Sequence, residues 1–332
     1  MTAIHQTASP MPAPTTPTPE VSVVVATHNR AERLAATIAG LRAQTLCLDR
    51  FEVIIVDDAS SDDTPAVLAM ELEAGVLRLR TVRQEQGGGP ARARNRGWQM
   101  AQAPMIAFTD DDCVPTPGWL EAMLATAGQR PDAVVQGPTL PDPREIDALD
   151  TYSKSMYLPG PTPHFETCNI VYPRALLEQV SGFDETYPAP AGEDSDLGWR
   201  VKDAGGVALF APDAVVHHAV FPRTPRAALK DALMATHGVQ AYKLNPGLRA
   251  HLSQGVFYER SHPLLLQAAY ALWLARRSPA AVALAAPYAM NVRARARGAK
   301  SPLKAAAFHV TYDAVQIAAT VRGAVRHRFP LL

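Results

Sequence analysis

The sequence predicts an α/β fold: a doubly wound, mostly parallel sheet with a helical extension at the C-terminus. Two observations carry that prediction. Apolar, β-branched runs of strand length alternate with segments whose apolar residues recur at helical spacing. The strand-like runs are continuously apolar, as in strands covered on both faces, and each stops abruptly at a polar cluster. Ligands of such sheets bind beyond the carboxyl ends of the strands, so "THN", "DDAS" and "TDDD" are expected to converge on one edge.

The elements follow in order. "VSVVVAT" (Val21–Thr27) is the first strand, and the segment from Ala31 to Gln44, with Leu34, Ile38 and Leu41 at helical spacing, is the first helix. Phe51–Val56 is a second strand that ends at Asp57 and Asp58. "DDTPAVLAMELE" reads as a helix with Asp or Thr at its cap and Pro65 in its first turn. "VLRLRTVRQ" is a third strand, "PARARNRGWQMAQA" a helix and "MIAFTD" a fourth strand. Residues 138–164 are rich in Pro, Tyr and Asp and predict irregular connections. "CNIVYPRALLEQVSGFDE" reads as strand then helix, and "GEDSDLGWRVKDAGG" as a loop entering a short helix closed by paired glycines. "VALFAPDAVVHHAV" supplies strand material ending in His217 and His218.

Composition sets further bounds. A hydrophobic fraction of 47% over 332 residues is ample for a packed core. Residues 1–19 are Pro/Thr-rich without apolar periodicity and predict a flexible leader. That leader lacks the basic start and apolar stretch of a secretory signal, so a cytoplasmic location is expected. Three cysteines without CxxC spacing argue against a disulfide framework and a zinc ribbon. The formal net charge of +0 hides an asymmetry, because ten Lys or Arg and one acid, Asp313, lie from Ser261 onward. Subtraction from 32 and 32 leaves 22 basic and 31 acidic residues before it, a net of −9.

Three adjacent acids, Asp110, Asp111 and Asp112, are ordinarily a solvated turn. At a strand end they can also seat a hard cation such as Mg²⁺ or Mn²⁺, which uses one or two carboxylates plus substrate phosphates. Neither GxxxxGK[ST] nor GxGxxG is present, which counts against a P-loop and a dinucleotide-binding domain. "GGGPARARNRG" offers a flexible loop followed by Arg92, Arg94 and Arg96, which reads as a solvated basic helix or a diphosphate contact. In "GED", Glu193 and Asp194 suit a helix N-terminus, and a carboxylate held there can also act as a general base. His217 and His218 read as strand-end histidines or as a ligand for a borderline metal.

Together "VSVVVATHNR", "EVIIVDDASSDDT", "GGGPARARNRG", "MIAFTDDDCVPTPGWL", "SGFDE" and "GEDSDLGWR", in this order, resemble family 2 glycosyltransferases of the GT-A fold, over roughly Val21 to Val220. The resemblance implies metal-dependent transfer of a sugar from a nucleotide-diphosphate sugar to an acceptor hydroxyl, with inversion. It implies that Thr27, His28 and Asn29 form the first nucleotide-contacting turn, that Asp58 meets the base and that Arg94 lies on the donor side. Asp110 and Asp112 take the ends of the Asp-x-Asp motif. Asp112 is then the first metal ligand, Asp110 a ligand of metal or ribose, and Asp111 a ribose contact. Asp194 matches the catalytic base, Glu193 a residue that orients the acceptor, and His218 the histidine completing the shell of Mn²⁺ or Mg²⁺, with His217 still open. The expected organisation is a GT-A-like domain over 20–225, with a nucleotide half to about 115 and an acceptor half beyond it, then a basic helical region over 226–332.

"PLLLQAAYALWLA" and "AAVALAAPYAM" are apolar runs shorter than the roughly 20 residues of a spanning helix. Either they pack on the catalytic domain, or they attach peripherally to an anionic membrane beside a lipid-linked acceptor. A glycan or lipid-linked acceptor in the cell envelope is the expected partner, and nucleic acid is not. A nucleotidyltransferase on a related sheet and a catalytically silent membrane-associated binding protein are the rivals.

Overall fold

The computed structural model describes residues 18–187 and 189–332. The expected leader lies outside the described residues except for its last two positions. The β-branched run forms β1 (Val21–Thr27), followed by α1 (Ala31–Arg42), β2 (Phe51–Asp57), α2 (Thr64–Ala74), β3 (Leu79–Arg83), α3 (Gly89–Met100) and β4 (Met105–Thr109). Strands β1 to β4 pair in parallel in the order β3-β2-β1-β4. Alternation along each strand splits the apolar residues between two layers. Val21, Val23 and Val25 of β1 with Phe51, Val53 and Ile55 of β2 meet α1 and α2 residues such as Ile38 and Leu68. Val24, Ile54 and Val56 face α3 on the opposite side. A Cβ on Gly97 of α3 would lie 2.4 Å from Val24 Cγ1, so this helix–sheet approach requires glycine.

The chain continues through β5 (Cys113–Pro115), α4 (Trp119–Ala127), β6 (Ala133–Gln136) and β7 (Thr139–Pro141). Then come β8 (Asn169–Pro173), α5 (Arg174–Gln179), α6 (Glu193–Asp203), β9 (Val207–Phe210) and β10 (Val216–His218). The main sheet is completed as β4-β8-β6-β9, with β8 antiparallel to both neighbours. β5, β10 and β7 form a separate three-stranded sheet. The stretch expected to be irregular thus contains one short strand, β7, and a 3₁₀ turn at Ile146–Ala148.

The C-terminal region is helical: α7 (Pro225–Ala232), α8 (Ala235–Leu244), α9 (Pro246–Arg249), α10 (Ser261–Leu274), α11 (Ala286–Arg295) and α12 (Pro302–His327). Val239, Tyr242, Leu248 and Leu331 share one core with Phe108 and Trp199, so α8, α9 and the chain end pack onto the sheet domain. Ala268, Tyr288 and Val292 form a separate small core among α10, α11 and α12. No helix among the described residues is long and apolar enough to cross a membrane.

Candidate active site

Strand register brings the polar clusters together. Val24 of β1 is level with Phe108 of β4, so three residues further on Thr27 and Asp111 leave the sheet side by side. Thr27 is likewise level with Asp57, which sets Asp58 beside the same edge. These ends open into a 410 Å³ cleft lined by Thr27, His28, Asp58, Arg94, Asp110, Asp111, Asp112, Glu193, Asp194 and His218. Lys154, Met156 and Glu166, which carried no readable motif, line it too.

Strand pairing places the two histidines differently. In β10, His218 pairs with Cys113 of antiparallel β5, and the Ala219 amide donates to the Asp112 carbonyl at 2.8 Å. His218 Nε2 therefore stands 3.5 Å from Asp112 Oδ1, both buried. Nδ1 of His218 lies 2.7 Å from the Ala219 carbonyl, and donation there leaves the Nε2 lone pair of a neutral ring facing the carboxylate. One nitrogen and one carboxylate oxygen suit a borderline divalent ion such as Mn²⁺. The Cys113 thiol is close enough to share such a site. Burial above all, with Cys168 and Asp112 adding to it, pushes its pKa well up in the metal-free cleft.

Arg30, the last residue of "VSVVVATHNR" and given no role there, is the cation already present. Its Nη1 donates to Asp111 Oδ1 at 2.9 Å and also to Asp112 Oδ2. Burial raises Asp111 to about 6, with Arg30 opposing that and Asp112 adding to it. Arg94 does the corresponding work on the other wall. Its buried guanidinium donates to Asp110 at 2.8 Å and to Glu193 and Asp194 at 3.3 Å each. Despite burial, Arg94 holds the Asp110 carboxyl below its usual range. Three carboxylates sharing one guanidinium cannot all ionise easily. Burial, then Asp194, push Glu193 up to about 8, and burial also raises Asp194. Asp194 is oriented by Thr167, whose backbone N and Oγ1 donate to Oδ2 at 3.1 and 2.9 Å.

Residues 22–180 match the family described as Glycosyl transferase family 2. The chain is 33% identical over 232 residues, 59% of its length, to validoxylamine A glucosyltransferase of Streptomyces hygroscopicus subsp. jinggangensis. Its backbone superposes on a mannosyltransferase from Pyrobaculum calidifontis in complex with GDP-Man and Mn²⁺ with a TM-score of 0.57 at 23% identity, covering 92% of this chain and 87% of that one. It also superposes on S. aureus TarS 1-349 with UDP-GlcNAc, with a TM-score of 0.51 at 16% identity, covering 93% and 92%. The resemblance read from the motifs is thus matched by the family 2 glycosyltransferase model over residues 22–180 and by a curated glucosyltransferase relative. The chain's fold is the GT-A-like sheet with a helical C-terminal region that the sequence implied. The chain spans about half the length of the first curated relatives it matches, 54% and 52%.

Other expected site residues have specific structural duties. The Asp58 carboxylate accepts from the Gly88 and Gly89 amides, both at 2.8 Å, and from Gln84. It thereby ties the end of β2 to the glycine loop that starts α3. Gly89, at φ +81, supplies the left-handed turn there. Asn29, at φ 54, does not line the cleft; its Oδ1 accepts from the Ser61 and Asp62 amides at 2.7 and 3.3 Å, bracing the loop after β2. Asn29 Nδ2 donates to His28 Nε2 at 2.9 Å, while His28 Nδ1 bonds the Asp58 carbonyl at 2.6 Å, so the first turn is held at both His28 and Asn29. Arg92 and Arg96 turn away into a separate cavity.

Proposed function

We propose that this chain is a metal-dependent inverting glycosyltransferase that moves a sugar from a nucleotide-diphosphate sugar to an acceptor hydroxyl. The observation that carries the reading is a single cleft holding both a carboxylate–imidazole pair, Asp112 and His218, and an oriented carboxylate, Asp194. Asp112 and His218 would hold Mn²⁺ or Mg²⁺, with Asp110 available to metal or ribose. A bound divalent ion supplies Lewis-acid neutralisation of the departing diphosphate.

The protein's own groups divide the remaining work. Asp194 takes the acceptor proton; burial raises its basicity, and the two Thr167 bonds aim its carboxylate. Glu193, protonated near neutrality, turns a hydroxyl donor toward its surroundings and orients the acceptor. Thr27, His28, Asp58 and Asp111 frame the nucleotide side, and Arg94 fixes Asp110, Glu193 and Asp194 relative to one another. The attack is a single displacement, so it needs one base and no second carboxylate nucleophile. Residues 20–225 perform transfer, and residues 226–332 bring the enzyme to a glycan or lipid-linked acceptor of the cell envelope. That assigns it to the cytoplasm and the inner face of the plasma membrane.

A thermal-shift screen of UDP- and GDP-sugars with and without Mn²⁺, followed by product analysis, tests this reading. Metal-dependent stabilisation and release of nucleoside diphosphate are expected. Release of pyrophosphate would make the chain a nucleotidyltransferase, and no turnover of any sugar nucleotide would make it a binding protein.

A further inference from the structure

The region outside the catalytic cleft carries a second, chemically different cavity. Between α10, α11 and the start of α12 runs an open trench of 830 Å³, within the size range of small-molecule sites, about 300–1,000 Å³. Its walls are apolar: Leu265, Ala269 and Leu272 of α10, Ala289 of α11, and Leu303 and Val310 of α12. Leu272 and Leu303 are 60% and 86% exposed, so most of their apolar surface stays in water. Two arginines, Arg293 and Arg297, line the same trench four residues apart.

The charge on this region is one-sided. Ten Lys or Arg and a single acid occupy residues 261–332. That acid, Asp313, is buried and already neutralised by Arg295 at 2.9 Å, with the Tyr288 hydroxyl donating to it at 2.9 Å. What the helices present outward is therefore cationic and apolar together. On the outer face of α10, Tyr270 and Trp273 stack at 5.7 Å and are about half exposed, and Arg277 lies 5.4 Å over the Trp273 ring. Aromatic rings beside basic side chains suit the headgroup level of a bilayer.

We infer that the α10–α11–α12 trench is a lipid seat, taking a hydrocarbon chain of an anionic phospholipid between its apolar walls while Arg293 and Arg297 hold the phosphate. A plain basic patch would be satisfied by any polyanion, and a plain apolar groove by any apolar partner. The two together, at one trench with no exposed acid, match a phosphate joined to a chain. The inference gives a site and a ligand class to the membrane half of the proposed function. It is independent of the transfer chemistry, since vesicle binding requires no donor, acceptor or metal.

The test is flotation of the full chain with phosphatidylcholine vesicles, with and without 30 mol% phosphatidylglycerol, at low and high salt. Two variants divide the roles. Ala269→Trp fills the trench from an exposed position, and Arg293→Gln/Arg297→Gln removes the phosphate contacts. Wild type is expected to float only with the phosphatidylglycerol vesicles and to lose binding at high salt. Each variant should bind at least about fivefold more weakly, the effect of one or more interfacial charges or of a blocked chain site, with unchanged melting temperature. Full binding by Ala269→Trp would reduce the interaction to surface charge and overturn the seat. Equal flotation with both vesicle types would overturn the phosphate assignment. A wild-type dimer that Ala269→Trp converts to monomer would assign the trench to a second copy of the chain and overturn the inference.

Discussion

Glu193 is a buried carboxyl whose ionisation the fold disfavours despite its contact with Arg94, and replacing it tests that directly. Burial and the neighbouring Asp194 lift it from 4.5 to about 8. Below about pH 4.5 the carboxyl is protonated in folded and unfolded chains and imposes no penalty. Between there and about 8 the folded chain binds one more proton than the unfolded chain, so stability falls by about 1.4 kcal/mol per pH unit. At pH 7 the accumulated cost is about 3 kcal/mol, because the unfolded chain ionises freely and the folded one does not. Glu193→Gln keeps the shape and removes the titration, and Arg94 retains Asp110 and Asp194 as partners. Urea unfolding from pH 5 to 8 should show the variant gaining roughly 2–3 kcal/mol over wild type at pH 7 and little at pH 5. A gain independent of pH, or a loss at pH 7, would refute the argument that Glu193 stands protonated in a strained acid cluster.

His218→Ala should weaken Mn²⁺ binding by at least about tenfold in a metal titration, while His217→Ala, one residue away on the other face of β10, leaves it unchanged. Arg30→Met leaves Asp111 and Asp112 without their cation; a partly exposed pair of this kind costs about 1–2 kcal/mol, and Mn²⁺ should restore the lost melting temperature. Gly97→Ala drives a methyl to 2.4 Å from Val24 Cγ1 and should destabilise by about 1–3 kcal/mol in urea unfolding without altering metal affinity.

The first half of the sheet is legible because its signal is local. The apolar runs at β1, β2 and β4 are long, bounded by polar clusters, and buried on both faces. The small sheet is not legible in the same way, since β5, β7 and β10 have three residues each, too few for a pattern. Yet the register of β5 on β10 decides which histidine faces Asp112, since a slip of one residue would exchange them. Charge partners were hidden for a different reason. Arg30 meets acids 81 and 82 residues away, and Arg94 meets Glu193 and Asp194 at separations of 99 and 100. Sequence marked Arg94 as a basic group near a phosphate; only the fold reveals that three acids already claim it. In the tail, both expected apolar runs are helical, but the second splits into a 3₁₀ turn (Pro279–Ala285) and α11. α8 and α9 join the domain core, whereas α10 and α11, which hold the apolar runs, keep apolar side chains exposed.

The measurement that bears most directly on the central claim compares wild type with Asp194→Asn for donor binding and for nucleoside diphosphate release in the presence of Mn²⁺. Asparagine can still accept from Thr167 but cannot take a proton, so the cleft keeps its shape and loses its base. The account predicts unchanged binding of the nucleotide sugar and turnover reduced by about 10²–10⁴-fold, the usual contribution of a general base. Turnover by Asp194→Asn at the wild-type rate would contradict it.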